Sequence, residues 1–547
     1  MAKDDKGERV VVLTFNDIYD LDPSADGTRA GFAALGGLIA EERRRALEDL
    51  DDPAGAVIVC CCGDFMSAAP TLSGGAPDDA GRHMVPLLAA AGVTHVVPGN
   101  HEFDRGTRPC ALRSSESSFR WLCTNVRAPP SPDGGSEGGP FGAGVDVDVV
   151  VTARGARIGL VGICTPRAPL LSAAGDGGAV FVDPIGAVGA LMDPSGECHP
   201  ASARGAEGFD ALVALTHMDL ADDVRLAMSC AQSVHLVVGG HDHEPIVHRV
   251  DGGPPPIVKC GCDARWLGRI VLRVDSRRDG VDQDAVVESI DMLPNDGTAV
   301  RDAQTERRIA ALLGDLRSQS VPRVIGVGND GDDPLGRDRD AVLCTLPHRL
   351  CSVGPREGPC PFADAVCDVL RDAADVDLFL IHAGLLRRAR VYEAGHAFTA
   401  GDAHAELPFP SRCAVRLVTG QRVIDALEHG IGNIGQPGAA GSITRGSRAL
   451  LHVSRPWRYA YDPTRREGER IVGVWCDGEP IVRDRIYRVG MPRYLSLGGD
   501  GFAALADLDQ GPSPAAGALL CRLFVDGVAP RHIVGATTGP PRFAFAQ

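Results

Sequence analysis

The chain has 547 residues, a mass of 57.3 kDa and a formal net charge of −17 from 55 basic and 72 acidic residues. That length exceeds one ordinary domain, and 44% hydrophobic with 23% charged residues excludes wholesale disorder. So acidic a surface gains nothing from counterion release, which argues against nucleic acid or an anionic membrane as partner.

No stretch approaches ~20 uninterrupted apolar residues, so no membrane span is expected. The N-terminus runs directly into Val10-Val11-Val12-Leu13 and shows no apolar core of a secretory signal. The 17 cysteines are odd in number and irregularly spaced, and Cys60-Cys61-Cys62 lie together in an apolar run. A reducing, cytoplasmic setting is the expectation, with cysteine acting as a small hydrophobe. The oligomeric state is left open.

In chain order, short apolar runs predict strands at Arg9–Phe15, Ala56–Cys62, Thr94–Val97, Phe119–Asn125, Val147–Val151, Arg157–Ile163, Asp210–Leu215, Val234–Val238, Pro256–Lys259 and Gly268–Val274. Helices are predicted near Phe32–Leu47, Arg82–Ala91 and Leu220–Ser229. Strands apolar on both faces that alternate with helices indicate an α/β core covered on both sides. Ala128–Gly144 and Leu171–Gly208 read as Gly-rich surface insertions. Helical spacing over 298–320 predicts a connecting helix, followed by the Gly/Asp-rich stretch Gly326–Asp340. A second α/β region then opens with a helix near Phe362–Ala373 and a strand at Val376–Ile381.

The informative pattern is the residue that closes each strand. Asn16-Asp17, Gly63-Asp64, Gly99-Asn100-His101-Glu102-Phe103-Asp104, Thr216-His217 and Gly240-His241-Asp242-His243 each follow an apolar run. A single Asp or His at such a place is an ordinary turn or cap. Five in order are not, because the carboxyl ends of strands border the ligand crevice of an α/β sheet. Oxygen and imidazole donors converging there suit divalent metals.

These blocks resemble the calcineurin-like metallophosphoesterases of the 5′-nucleotidase family, whose pattern runs Asp-x-His, Gly-Asp, Gly-Asn-His-Glu-(Phe)-Asp, a His after a strand, then Gly-His-x-His. The resemblance implies a four-layer α/β/β/α catalytic core over residues 8–297, a linker helix and loop over 298–335, and a 5′-nucleotidase-like substrate-binding α/β domain over 336–547. It implies two divalent ions, Mn, Zn or similar: Asp17 and His243 on the first, Asn100, His217 and His241 on the second, and Asp64 bridging. By the same resemblance His101, oriented by Asp104, faces the phosphate as a catalytic group and is not a ligand. One departure stands out, because Asp-x-His becomes Asp17-Ile18-Tyr19. A phenol of pKa ~10 replaces an imidazole, and Tyr19 itself, Asp20, Asp22 or water is left to fill the place. A metal that accepts oxygen ligands, such as Mn²⁺, is then favoured.

The C-terminal half resembles the family's substrate domain more loosely, through Asp377–Arg387, Leu407-Pro408-Phe409, Leu417–Glu428 and Leu497–Phe502. The family's base-stacking rings correspond to Phe409 and Phe502, and its oxyanion-holding arginine to Arg387. Arg356 and Asp500 are further substrate-binding candidates. His382 and Ala383 stand where the family has Asn and Gly, so the base or sugar contact is expected to differ. The implied activity is release of phosphate from nucleoside 5′-monophosphates or related nucleotides. The alternatives are a phosphodiesterase or sugar-nucleotide hydrolase on the same site, or a weakened homologue serving as nucleotide sensor or scaffold.

Overall fold

Alternate residues of the strand Glu8–Phe15 face different layers. Val11, Leu13 and Phe15 pack with Phe32, Leu35 and Leu38 of the helix Phe32–Asp49. Val10 and Val12 instead join Ile58, Cys60 and Cys62 against Leu160, Val213, Leu215 and Val238 of a second sheet. The outer face of that second sheet buries Val161, Ile163, Leu212 and Ala214 under Val188, Leu226 and Ala227 of two more helices. The period of two along each strand thus builds helix, sheet, sheet and helix in four layers, as expected. This description comes from a computed structural model that describes residues 7–545, apart from 25–26, 50–56, 68–76, 131–137, 173, 193–208, 251, 275–284, 320–339, 389, 410 and 433–448. Much of the two expected insertions and the Gly/Asp-rich stretch lie outside the described residues.

Besides the two-stranded ribbon of Val126–Arg127 and Val180–Phe181, the first compact unit, residues 1–321, holds two six-stranded sheets. One runs Val286–Pro294, Trp266–Val274, Glu8–Phe15, Val57–Cys62, His95–Val97, Arg120–Trp121. The other runs Pro245–His248, Ile257–Cys260, Leu236–Gly240, Ala211–His217, Arg157–Cys164, Val147–Val151. The central pairs are parallel, with Cys62 opposite Val97 in the first sheet, and His217 opposite both Gly240 and Cys164 in the second. Their carboxyl ends therefore share one edge, where the polar blocks begin. Burying an aliphatic side chain in these strands contributes about 1.5–3 kcal/mol, which favours apolar residues along the central strands and polar blocks at their ends.

Three of the expected segments take a different form. The strand expected at Phe119–Asn125 is confined to Arg120–Trp121. Beyond it, the Asn125 amide replaces a ladder bond, donating to Cys164 O at 2.7 Å and accepting from Cys164 N at 2.8 Å. Within the expected insertion 171–208, the helix Pro184–Met192 is ordered and buries Val188. The helix Ala303–Gln319, expected as a connector, buries Ile309 and Leu313 in the core of the first unit.

The second unit, residues 322–547, centres on a four-stranded sheet ordered Cys413–Thr419, Ile486–Pro492, Leu378–His382, Leu451–Val453. The helix Pro361–Ala374 covers one face, where Phe362 and Val366 meet Phe379 and Ile381. The helix Gly420–Gly430 covers the other, where Val423 and Leu427 meet Leu378 and Leu380. Within this unit the buried Glu406 accepts hydroxyl bonds from Ser352 at 2.7 Å and Tyr392 at 2.8 Å. Burial pushes its carboxyl from an ordinary 4.5 up to about 7, against the pull of those hydroxyls. The folded state then holds this proton more tightly than the unfolded chain, so its contribution is complete below pH 4.5 and is lost as pH rises towards 7. Glu406→Gln is expected to remove up to about 3 kcal/mol of that decline, measured as a smaller drop in urea midpoint between pH 5 and pH 8.

Candidate metal centre

Asp17 and Asp64 follow directly on parallel strands, and both take left-handed backbone angles, φ 55° and 57°. His241 (φ 82°) and His243 (φ 58°) do the same after Leu236–Gly240. Such a conformation costs a side chain with a Cβ roughly 1–3 kcal/mol, and it clusters where function over-determines the backbone. The loops are tied together by Asp17 N donating to Gly63 O (3.0 Å) and Ile18 N to Asp64 O (2.9 Å). Two glycines admit the close approach. A Cβ at Gly99 would strike Asp64 Oδ1, and one at Gly240 would strike Cys62 O and Asp17 Oδ2.

The result is two donor groups that share one carboxylate. Asp17, Asp64 and His243 present ligand atoms within 4.8 Å of one another, and so do Asp64, His217 and His241. Asn100 is buried between Gly99 and His101, which both meet Asp64, and its Oδ1 has no hydrogen-bond partner among the described residues. A buried amide oxygen in that state is costly unless a cation meets it. His217 Nδ1 lies 2.7 Å from the Cys62 carbonyl, which only accepts, so Nδ1 carries the proton. Nε2, 3.1 Å from Asp64 Oδ2, is then the coordinating nitrogen. Burial alone would lower the His217 pKa, yet Asp64 and Asp17 lift it to about 10. Burial likewise opposes ionisation of Asp64, but His217 and His101 hold it well below the usual carboxylate range. The pocket is an electrostatic trap for positive charge, and its donor set fits divalent ions.

His101 sits at the rim, with its side chain 17% exposed. Its backbone N donates to Asp64 Oδ1 at 2.9 Å, and its Nδ1 meets Asp104 Oδ2 at 2.8 Å. Ser67 Oγ donates to the same Asp104 oxygen at 2.9 Å. The structure thus brings together all eight residues expected here: Asp17, Asp64, Asn100, His101, Asp104, His217, His241 and His243. Tyr19, which takes the family's histidine position, reaches into the first donor group. Its hydroxyl lies 2.9 Å from Asp17 Oδ1, 2.6 Å from Asp64 Oδ2 and 3.0 Å from His243 Nε2.

Three supporting residues were not singled out from the sequence. The buried Glu102 carboxylate accepts from the backbone N–H groups of Asp64 (2.7 Å), Phe65 (2.8 Å), Met66 (2.9 Å) and Gly99, holding two ligand loops at once. Asn16 donates to Asp17 Oδ2 at 2.7 Å and accepts from Cys260 N at 2.9 Å. Lys259, 1% exposed, donates to Met218 O (2.7 Å) and Gly240 O (2.9 Å) and pairs with Asp223 at 2.6 Å. A lysine inside the strand Ile257–Cys260 was the available signal.

The C-terminal candidates divide. The Arg387 guanidinium lies over the Phe409 ring, 4.7 Å from its centroid, and both residues are half-buried. Phe502 is fully buried in the core, edge-on to His429 at 4.7 Å. Arg356 is half-buried. Asp500 lies in the turn Gly499–Gly501, and its side chain lies outside the described residues. His382 closes its strand with its ring 5.5 Å from Tyr494.

Residues 345–507 match the family model "5′-nucleotidase, C-terminal domain". The chain carries a 5′-nucleotidase C-terminal domain. An apyrase of Aedes albopictus is 22% identical over 448 residues, spanning 76% of this chain and 71% of its own. The 5′-nucleotidase of Mus musculus is 24% identical over 451 residues, 75% of this chain and 69% of its own. Among solved structures, a 5′-nucleotidase precursor of Thermus thermophilus superposes with a TM-score of 0.62 at 20% identity, covering 98% of this chain and 99% of that one. At that identity the likeness speaks for the fold, a two-domain α/β 5′-nucleotidase architecture. The resemblance to 5′-nucleotidase-type metallophosphoesterases read from the strand-end motifs therefore holds.

Proposed function

We propose that this 5′-nucleotidase-type chain hydrolyses phosphoric esters with two bound divalent ions, releasing phosphate from nucleoside 5′-monophosphates or related nucleotides. The observation that carries the reading is the pair of donor groups sharing Asp64, with the His101–Asp104 couple at their rim. Asp17, Asp64 and His243 would hold one ion, and Asp64, Asn100, His217 and His241 the other. When bound, such ions neutralise phosphoryl charge and bring the pKa of water towards neutrality. The chain's own part is to fix donors and move a proton. Asp104 accepts from Nδ1–H of His101, which makes Nε2 the atom that delivers a proton to the departing oxygen. Glu102 and Lys259 tie the ligand loops to one another through backbone groups.

On the substrate side, the half-buried Phe409 under Arg387 is the candidate for stacking a base, which is worth roughly 1–3 kcal/mol. Phe502 needs a change of packing to serve, since its ring is enclosed.

Phosphate release from chelator-stripped protein tests the reading, with Mn²⁺ or Zn²⁺ restored and a panel of nucleoside monophosphates, sugar nucleotides and glycerol phosphate. The expected result is no turnover without metal, recovery with Mn²⁺, and nucleotides preferred over glycerol phosphate by about tenfold or more. Full activity in the stripped protein would refute the metal reading. Equal rates across the panel would refute base stacking.

A further inference from the structure

The phenol of Tyr19 is almost fully buried, and its oxygen lies among the ligand atoms of the first donor group. Two carboxylate oxygens and one imidazole nitrogen lie within 3.0 Å of Tyr19 Oη. A hydroxyl has one proton, and an ionised carboxylate has none to give. One hydroxyl proton thus stands against two carboxylate oxygens, at 2.9 Å to Asp17 Oδ1 and 2.6 Å to Asp64 Oδ2. The oxygen, the two carboxylate oxygens and the imidazole nitrogen are all donors of the kind one cation can share.

The distances also say where Oη stands relative to that cation. Asp17 Oδ1 and His243 Nε2 are 2.9 Å apart, and Oη is 2.9 and 3.0 Å from them. These three sides make a nearly equilateral triangle, so the two donors subtend about 60° at Oη. Around an ion, adjacent octahedral ligands subtend about 90°, and at bond lengths of 2.0–2.2 Å they lie about 2.8–3.1 Å apart. Oη is thus a corner of a ligand polyhedron and not its centre. It does not sit where the ion would.

We propose that Tyr19 is itself a metal ligand, its phenolate oxygen completing the first position with Asp17, Asp64 and His243. This rests on the two-ion reading above and sets the character of one of its two places. On binding, the phenol O–H proton passes to solvent and the oxygen lone pair forms the bond to the ion. The first position then offers three oxygens and one nitrogen, while the second offers Asp64 and Asn100 oxygens with two imidazoles. The first prefers a harder ion than the second, Mn²⁺ over Zn²⁺ at equal availability.

The test is a Mn²⁺ titration of the metal-free full chain, with bound ions counted by mass spectrometry and the ultraviolet difference spectrum recorded for phenolate. Wild type is expected to take up two ions, with one tyrosine becoming phenolate. Tyr19→Phe should bind the first-position ion roughly 100-fold or more weakly and show no phenolate signal. Tyr19→His should recover two ions, still without that signal, which separates a lost ligand from a misfolded chain. Circular dichroism establishes that both variants fold.

Two ions in wild type with no phenolate band, or two ions held by Tyr19→Phe at wild-type affinity, would overturn the proposal and leave the hydrolase reading intact. So would one ion in wild type and two in Tyr19→Phe, since the phenol would then obstruct the place. A wild-type chain that binds no ion would defeat the two-ion reading itself, together with this proposal.

Discussion

Replacing His101 by alanine will lower kcat by about 10²–10⁴-fold while the number of ions bound per chain stays unchanged. The separation follows from which atoms of the residue do what. Its backbone N–H, not its ring, donates to Asp64 Oδ1 at 2.9 Å, and a backbone donor survives the substitution. The ring bonds Asp104 through Nδ1 at 2.8 Å, and neither donor group that shares Asp64 includes its Nε2, which stands 3.9 Å from Asp64 Oδ2. What is lost is a proton delivered only as the ester bond breaks, and such an interaction lowers kcat and kcat/KM together without raising KM. Asp104→Asn should show the same pattern at smaller amplitude, because the amide no longer fixes the Nδ1–H form of the ring. Turnover and ion content of the three proteins decide the matter. An alanine variant that retains wild-type kcat, or one that loses an ion, would assign His101 a different role.

How far this site could be read in advance depends on where polarity is tolerated. Inside strands such as Ala211–His217, every residue is buried and polarity is costly, so Asp17, Asp64 and His217 stand out at the strand ends. The same contrast made the four layers legible, since a strand apolar on both faces needs covering twice. Glu102 was quoted in its motif but not recognised as a support. Its four backbone donors come from two loops that only the sheet register brings together. The helix Thr107–Glu116 escaped notice because the side chains it buries include Thr107, Arg113 and Ser114, so it lacks an apolar stripe. Arg113 is accommodated there by the carbonyls of Asp78 and Ala80. In the C-terminal unit, a ring that stacks on a ligand and a ring that fills a core share one sequence signature. Burial separates the enclosed Phe502 from the half-open Phe409. Tyr19 was visible as a departure, but the placement of its oxygen needed the turn after Glu8–Phe15 and the His243 loop in three dimensions.

Arg542→Ala is expected to destabilise the C-terminal unit by about 3–5 kcal/mol. Arg542 is 3% exposed and grips Asp368 with both arms, Nη1 to Oδ1 at 2.7 Å and Nη2 to Oδ2 at 2.8 Å. Its Nη1 also donates to Val453 O at 2.9 Å, joining the helix Pro361–Ala374 to the edge strand Leu451–Val453. Removing the guanidinium takes the buried cation from the Asp368 carboxylate, 1% exposed, and from Asp364, whose burial it opposes most strongly. Burial already pushes Asp364 up to about 7, against the pull of Arg542. Arg455 also bonds Asp368, from its backbone N at 2.9 Å and Nε at 2.8 Å, but its side chain is 45% exposed. Its more solvated charge therefore offsets less of the burial of Asp368 than the charge of Arg542 does. Replacing both partners with apolar residues, Arg542→Met with Asp368→Leu, should recover most of the loss, because the penalty lies in an uncompensated buried charge and not in a missing attraction. Urea unfolding of the three proteins measures this directly. A loss below about 1 kcal/mol in Arg542→Ala would place the pair among exposed ion pairs of little worth. A double variant no more stable than the single would show that the guanidinium's bonds to the Val453 and Asp364 carbonyls, and not the ion pair, hold the helix to its sheet.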